Sequence, residues 1–287
     1  WNKRDLGTAS DGADPEVISN FGDSIGEDYR GGDFIDALRN SSSVMAAGAT
    51  MLGGLSGDVK IPKKSGTSAA TWISAEGGAA TESEMTLGNV SLSPKTLGAF
   101  TDVTRQLLIQ SSLDVESLIR DDLTKAMAIA IDKAGLEGTG ASGQPTGIEG
   151  VTGIGSVAFT AAGAPTFAEM IAMETEVSQD NALLGNLSYI LTPALAGALK
   201  GTAKSSTNSG FVLENGQVNG YNAIVSAQAS ANHAYFGNFS DLLIGMFGGL
   251  DIVVDPYTAS TTGTVRVVAM QSVDCAVRHA QSFAVGQ

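Results

Sequence analysis

The sequence predicts an α+β fold, on three observations. Val115, Leu118, Ile119, Leu123, Ala126, Met127, Ala130, Ile131 and Ala134 recur at steps of three and four residues, the spacing of one face of a long helix. Val59/Ile61, Trp72 and Leu87/Val90/Leu92 are strand-like pieces separated by Gly, Ser, Thr and Ala, with too little apolar bulk for a core of their own. From residue 166 onward a second helical pattern gives way to short β-rich runs, "YILT", "NAIVSA", "IVVDPYT" and "TVRVVAMQSVDCAV". A chain of 287 residues is long enough to bury a sizeable core, between one large irregular domain and two ordinary ones.

Residues 1–56 are acidic, Gly-rich and weakly periodic, and read as an extended arm. Its one helical piece is "DFIDALRNSS", where Phe34, Ile35 and Leu38 share a face and Asp33 can cap the start. So few apolar residues give the arm little to pack on within its own subunit, so its order depends on neighbours. Residues 57–94 read as a long two-stranded ribbon. Two strands alone cannot bury enough surface to be stable in water, so the ribbon needs a partner to lie on. The helix follows at about 113–137, with Ser112 or Asp114 to cap it and Gly138 to end it. Some 22 residues at 1.5 Å each make a rod of roughly 33 Å, a structural spine. Thr166 and Glu169 are spaced as a capping box at the head of "TFAEMIAMETEVSQD".

"LEGTGASGQPTGI" contains Gly138-Thr139-Gly140-Ala141-Ser142-Gly143, formally a G-x-G-x-x-G. A nucleotide-binding glycine loop follows a strand and opens a helix, so that helix amides meet the pyrophosphate. Here the order is reversed: the glycines follow a long helix and lead into a turn and strand. No Lys completes a phosphate-loop pattern either. The segment reads as a helix terminus and turn built by Gly138, Gly140, Gln144, Pro145 and Gly147.

Composition narrows the function. Charged residues are only 16% and Gly reaches 36, so much of the surface is small, neutral or apolar, as on a chain meant to be covered by other chains. A formal charge of −14 with no long basic cluster excludes direct phosphate neutralisation and argues for repelling nucleic acid. The single Cys275 excludes an internal disulfide and reads as a small packed side chain. With two histidines, His233 and His279, a Ser/His/Asp triad is arithmetically possible, but no serine sits on a nucleophile elbow. Neither histidine has a ligand partner at metal spacing, so no metal, cofactor or catalytic residue is expected. Asp121/Asp122 and Glu174/Glu176 read as solvated helix faces. No apolar run approaches the ~18 residues that span a bilayer, so no membrane partner is expected. No signal-peptide pattern is seen, and the opening at Trp1 instead of Met predicts an upstream segment that was removed or lies outside this sequence.

The long helix followed by Gly138-x-Gly140-x-x-x-Gln144-Pro145-x-Gly147-Ile148 resembles the tailed-bacteriophage major capsid protein family. Further stretches fall in the family's order: "TWISAEGGAATES", with Trp72, Glu76 and Gly77, then "SLSPKTLGAFTDVTRQLLIQSSLDVESLIRDDL", "YILTPALAGALKG", "NGYNAIVSAQ", "YFGNFSDLLIGMFGGLDIVVDPYT" and "TVRVVAMQSVDCAVRHAQSFAV". The resemblance spans residues 57–287 and reaches the arm by position alone. It implies an N-terminal arm (1–56), an extended loop (57–94), a peripheral domain with the spine helix (95–165), an axial domain (166–254) and a return to the peripheral domain (255–287). It implies a non-enzymatic subunit assembling as hexamers and pentamers into an icosahedral shell around double-stranded DNA, in the virion, with assembly in the host cytoplasm. The implied intersubunit contacts are Lys60, Lys63, Lys64, Trp72, Ile73 and Glu76 of the extended loop, with Trp72 and Ile73 as anchors. Portal, scaffold, maturation protease and decoration proteins are implied partners. Some members weld neighbours through a loop Lys and an Asn in the peripheral domain. Residues 251–287 contain no Asn, so this shell is expected to dissociate to single chains in detergent. An encapsulin compartment shares the fold, and a surface-layer protein shares the composition but predicts repeats or a secretion signal.

Overall fold

In the computed structural model, which describes residues 39–66, 68, 70–73, 82–110, 115–205, 210–258 and 260–287, the chain opens on a one-turn helix α1 (Ser43–Ala46) and strand β1 (Thr50–Leu55). The ribbon strands β2 (Val59–Lys64) and β3 (Leu87–Leu92) follow, then β4 (Lys95–Thr104), α2 (Arg105–Gln110) and the long helix α3 (Val115–Glu137). After it come β5 (Gly155–Val157), α4 (Phe167–Gln179), β6 (Leu187–Leu191) and α5 (Pro193–Gly201). The chain continues through β7 (Leu213–Glu214), β8 (Gln217–Val218), β9 (Tyr221–Val225) and β10 (Ala234–Asn238). It ends with β11 (Leu242–Asp255), β12 (Thr264–Val277) and β13 (Phe283–Gly286). The helical piece expected around Phe34, Ile35 and Leu38 lies outside the described residues, and residues 39–42 are non-helical.

Two larger sheets organise these elements. The first has the order β1-β11-β12-β4, and α3 lies on one of its faces. Strand pleating puts alternate residues of β12 toward the helix, so Val267 and Ala269 pack with Leu123 and Met127 of α3, beside Leu97, Ala99 and Ile119. Val268 and Met270 point to the other face, where Met270 is exposed. The second sheet, β5-β13-β10-β6-β9-β8-β7, mixes parallel and antiparallel pairs and is buried on both sides at its centre. Tyr189, Leu191, Phe236 and Ala284 face a core built with Met170, Met173 and Val177 of α4 and Leu195 and Leu199 of α5. Ile190, Tyr235, Phe283 and Val285 face the opposite core, shared with Leu136 of α3, Ile148, Val44, Leu242 and Val273. This second core locks the two sheets together.

The sheets cut across the sequence positions 166 and 255. Of β11 only the "IVVDPYT" end was expected to leave the 166–254 unit, and the whole strand lies in the four-stranded sheet; β13, expected to return to the other unit, lies between β5 and β10 in the seven-stranded sheet. Two Asn-Gly pairs, Asn215-Gly216 and Asn219-Gly220, all with positive φ between 51° and 85°, make consecutive two-residue turns joining β7, β8 and β9.

The capping box is formed as its spacing predicts: Thr166 Oγ1 accepts from Glu169 N at 3.3 Å, and Glu169 accepts from Thr166 N at 2.7 Å and from Thr160 N at 2.7 Å. Desolvation acts to raise the Glu169 carboxyl, but the hydrogen bonds from Thr160 and Thr166 together outweigh it and hold the group at about 2, against 4.5 ordinarily. The folded-state value is depressed, so the stability it contributes is fully present above pH 4.5 and is lost as pH falls toward 2. Glu169→Gln should therefore flatten the dependence of the unfolding midpoint on pH between those limits. An unchanged acid profile in Glu169→Gln would refute the assignment.

Candidate assembly surfaces

The ribbon is an antiparallel pair with Val59 opposite Leu92, Ile61 opposite Val90 and Lys63 opposite Gly88 on one face, and Lys60, Pro62 and Lys64 opposite Ser91, Asn89 and Leu87 on the other. The first face rests on the body: Val90 and Leu92 are buried, and Lys63 Nζ donates to the Arg278 carbonyl at 3.4 Å. The second face is open, with Lys60 and Lys64 exposed and Leu87 70% exposed. Between the strands, residues 70–73 have no regular structure, so Trp72 is not in a strand as its sequence setting predicts. Trp72 is fully exposed and Ile73 more than half exposed. A free indole leaves a large apolar surface in water. Glu76 and Gly77 lie outside the described residues.

Two buried carboxylates fix the ribbon and α1 to the body. Asp274 of β12 accepts from Ser93 N at 2.8 Å, Cys275 N at 3.0 Å and Lys95 Nζ at 2.8 Å, across the joint where β3 becomes β4. Asp132 of α3 accepts from Ser42 Oγ, Ser43 Oγ and Val44 N at 2.7–2.8 Å, and so caps α1 from across the fold. The nearby exposed acids behave differently: Asp121 pairs with Lys125 along the helix and Asp122 with Arg39. Glu174 is not merely solvated, since it accepts from the Tyr221 hydroxyl at 3.1 Å.

Gly138 to Gly147 form a tight return at the end of α3. Gly147 N donates to Gly138 O at 2.8 Å, Gly140 N to Pro145 O at 3.1 Å, and Thr139 bridges Thr146. Thr139 Oγ1 also meets Gln144 Oε1 at 3.4 Å. The backbones cross so closely at Gly138 and Gly147 that neither position has room for a Cβ. A groove of about 550 Å³ runs between this return, the last turns of α3 and the start of β4, with Cys275 at its floor. Burial pushes the Cys275 thiol up to about 12, so it is not a nucleophile at neutral pH. His233 lies 3.4 Å from Glu149, which also accepts from the buried Tyr235 hydroxyl at 3.2 Å. Among the described residues no cluster of His, Cys, Asp and Glu is arranged to hold a metal, and no helix is long and apolar enough to cross a membrane.

Residues 29–287 match the model of the phage capsid family. The chain belongs to the phage capsid family. A relative of this capsid-family chain, the major capsid protein of Halomonas phage phiHAP-1, is 33% identical over 265 residues. That match takes in 92% of this chain and 43% of the relative, so the chain spans less than half the length of the curated relative it matches. Among solved structures, the capsid of a native GTA particle aligns with a TM-score of 0.75 at 18% identity, covering 96% of this chain and 99% of that one. A structure from Mycobacterium phage Bobi aligns with a TM-score of 0.73 at 13% identity, covering 93% and 97%. At such identities the likeness is one of fold, and the mixed α+β architecture is the one shared with these structures.

One surface of the capsid-family chain escaped the sequence reading. The face of the four-stranded sheet away from α3 exposes Phe100, Val253 and Met270. Alternation in β4 and β12 was the available signal, but alternation does not say which face a helix covers.

Proposed function

We propose that this chain is a major capsid protein of a tailed phage, many copies of which self-assemble as hexamers and pentamers into an icosahedral shell around double-stranded DNA. The observation that carries the reading is the ribbon of a phage capsid family chain, seated on the body by one face while it leaves a fully exposed Trp72 and an open basic face. Such a ribbon has an unpaired edge and uncovered apolar groups, which a neighbouring subunit would cover. Lys60, Lys64, Trp72, Ile73 and Glu76 are the contacts on this reading, Lys63 being committed to the Arg278 carbonyl of its own chain, and the Gly138–Gly147 return is a rigid terminus of the spine. The four-stranded sheet with α3 is the peripheral domain and the seven-stranded sheet with α4 and α5 the axial domain, so β11 and β13 each cross from the unit their sequence position suggested.

The subunit is structural and not catalytic. Its partners are copies of itself, with portal, scaffold, maturation protease and decoration proteins as the family's further contacts. The net charge of −14 suits a wall that packaged DNA slides against without sequence-specific contact.

Electron microscopy and light scattering of the chain, alone and in its full reading frame, test this. Closed icosahedral particles that collapse to one band near 29.2 kDa in denaturing detergent are expected. A ladder of covalent oligomers would overturn the non-cross-linked reading, and a monomer in every condition would overturn the capsid reading itself.

A further inference from the structure

We propose that the cavity between the middle of α3 and the bulge of β11 binds a small, neutral, mainly apolar molecule with one hydrogen-bond acceptor, which the side-chain amide of Gln271 receives. The inference concerns a ligand site inside the subunit and is independent of the self-assembly reading.

The site begins at a break in register. Phe247 of β11 lies opposite Ser272 and Asp251 opposite Met270, so Gly248, Gly249 and Leu250 face the single residue Gln271. Such a bulge bends its strand and interrupts the ladder. Leu250 and Gln271 both line a cavity of about 200 Å³ whose other walls are α3, α1, β1 and β11. Four of the chain's eight methionines, Met45, Met51, Met127 and Met246, line it as well. Pleating of β12 puts Gln271 on the same side as Val267 and Ala269, which pack on α3. Gln271 is only 7% exposed, and its Nε2 has no hydrogen-bond partner among the described residues. A buried donor left unmet costs stability until something supplies an acceptor. The neighbouring polar groups are engaged with one another: Ser42 Oγ donates to Asp132 and Thr124 Oγ1 to the Arg120 carbonyl, each at 2.8 Å. Gln271 therefore holds the cavity's unmet donor.

Size, polarity and charge set the class of ligand. An apolar cavity of ~150 Å³ takes up benzene, so this one accommodates a ring or short chain with a small polar substituent. A helix is ~10 Å across and is too wide to enter. Water is a poor occupant, because an ordered water needs two or more polar partners and Nε2 offers one bond. Methionine side chains are unbranched and polarisable, and they re-pack around ligands of varied shape. Asp132 stands in the wall and repels an anion such as a fatty-acid carboxylate. Its own charge is already met by Ser42 Oγ, Ser43 Oγ and Val44 N, so it exerts little pull on a cation. A neutral alcohol, ketone or amide with an apolar body remains.

The test uses two probes of one shape, acetophenone and the hydrocarbon α-methylstyrene, titrated into subunit labelled with carbon-13 at the methionine methyls. Acetophenone should move the resonances of Met45, Met51, Met127 and Met246, leave those of Met85, Met170, Met173 and Met270 in place, and raise the unfolding midpoint. Gln271→Leu removes the donor and keeps an apolar side chain, and it should lower the ratio of acetophenone to α-methylstyrene affinity about fivefold or more. Ala128→Phe, at an exposed position lining the cavity, should abolish binding of both probes in a subunit that stays folded. No methyl shifts, or equal shifts at all eight methionines, would overturn the site. An affinity ratio unchanged in Gln271→Leu would overturn the acceptor-bearing ligand. Overhauser contacts from the same four methyls to the Phe34 ring, undisturbed by either probe, would give the cavity to the chain's own residues and refute the inference.

Discussion

Gly147→Ala should destabilise the subunit by about 3 kcal/mol or more, while Gly143→Ala, four residues earlier in the same loop, should cost only about 1 kcal/mol. The two glycines answer to different physics. A Cβ on Gly147 would stand 2.5 Å from the Ala134 carbonyl oxygen, 2.5 Å from Gly138 N and 2.8 Å from the Leu136 carbonyl carbon. All three are backbone atoms of the end of α3 and its exit, so no rotamer change relieves the overlap. Gly138 is its mirror across the crossing, where a Cβ would meet the carbonyl oxygens of Pro145 and Ala134. Gly143 is at the loop tip with φ of +78° and nothing within 4 Å of a Cβ, so alanine there meets only the strain of a left-handed backbone. Denaturant unfolding of the free subunit separates the cases. Equal, small losses at both positions would mean the crossing relaxes, and the return would then not be the rigid terminus proposed here. Because Leu136 and Ile148, on either side of the return, are both fully buried in the core between the two sheets, a forced shift at Gly147 should disturb that core as well.

The elements that could be read from the sequence are those whose cause is local. α3 carries its apolar stripe within itself, and residues 115–137 follow the predicted 113–137 closely. Thr166 and Glu169 are three residues apart and satisfy each other, so the capping box needs no tertiary information. The ribbon was legible through what it lacks, since Val59, Ile61, Val90 and Leu92 are too few to make a core. The Asn-Gly pairs at 215 and 219 carried an equally local turn signal that went unused.

What escaped the reading depends on distant partners. Asp132 and Asp121 look alike in a helical sequence, yet Asp132 is buried because Ser42, Ser43 and Val44, about ninety residues away, bring it three donors. β11 and β13 were assigned by position, but a strand's sheet is set by the edge left open to it. β13 pairs with β10 on one side and β5 on the other, while β11 lies between β1 and β12. The open face around Phe100 follows from where α3 comes to lie, which no alternation of residues states.

Asp274→Ala should cost ~3–5 kcal/mol, because it strands donors that the fold has already removed from water. Asp274 is 4% exposed and its partner Lys95 carries a side chain only 26% exposed, so water does not replace the lost bonds. Ser93 N–H and Cys275 N–H would lose their acceptor, and the Lys95 ammonium its counter-charge, at a site too enclosed for salt to screen strongly. Lys95→Met should be severe for the opposite reason, leaving a buried carboxylate with two backbone donors but no cation. If the pair acts as a unit, Lys95→Met combined with Asp274→Ala should cost less than the sum of the two single changes, as a double-mutant cycle in denaturant would measure. Strict additivity would show that Lys95 and Asp274 are merely adjacent. The effect should also have a place as well as a size. Ser93 and Pro94 link the last residue of β3 to the first of β4, so loss of the Ser93 bond should raise amide exchange in β2 and β3 while α4 and β6 keep their protection. A ribbon loosened at its root would still carry Lys60, Lys64 and Trp72, but it would pay more ordering entropy on reaching a neighbour. Shell yield should therefore fall in Asp274→Ala even at temperatures where the subunit stays folded.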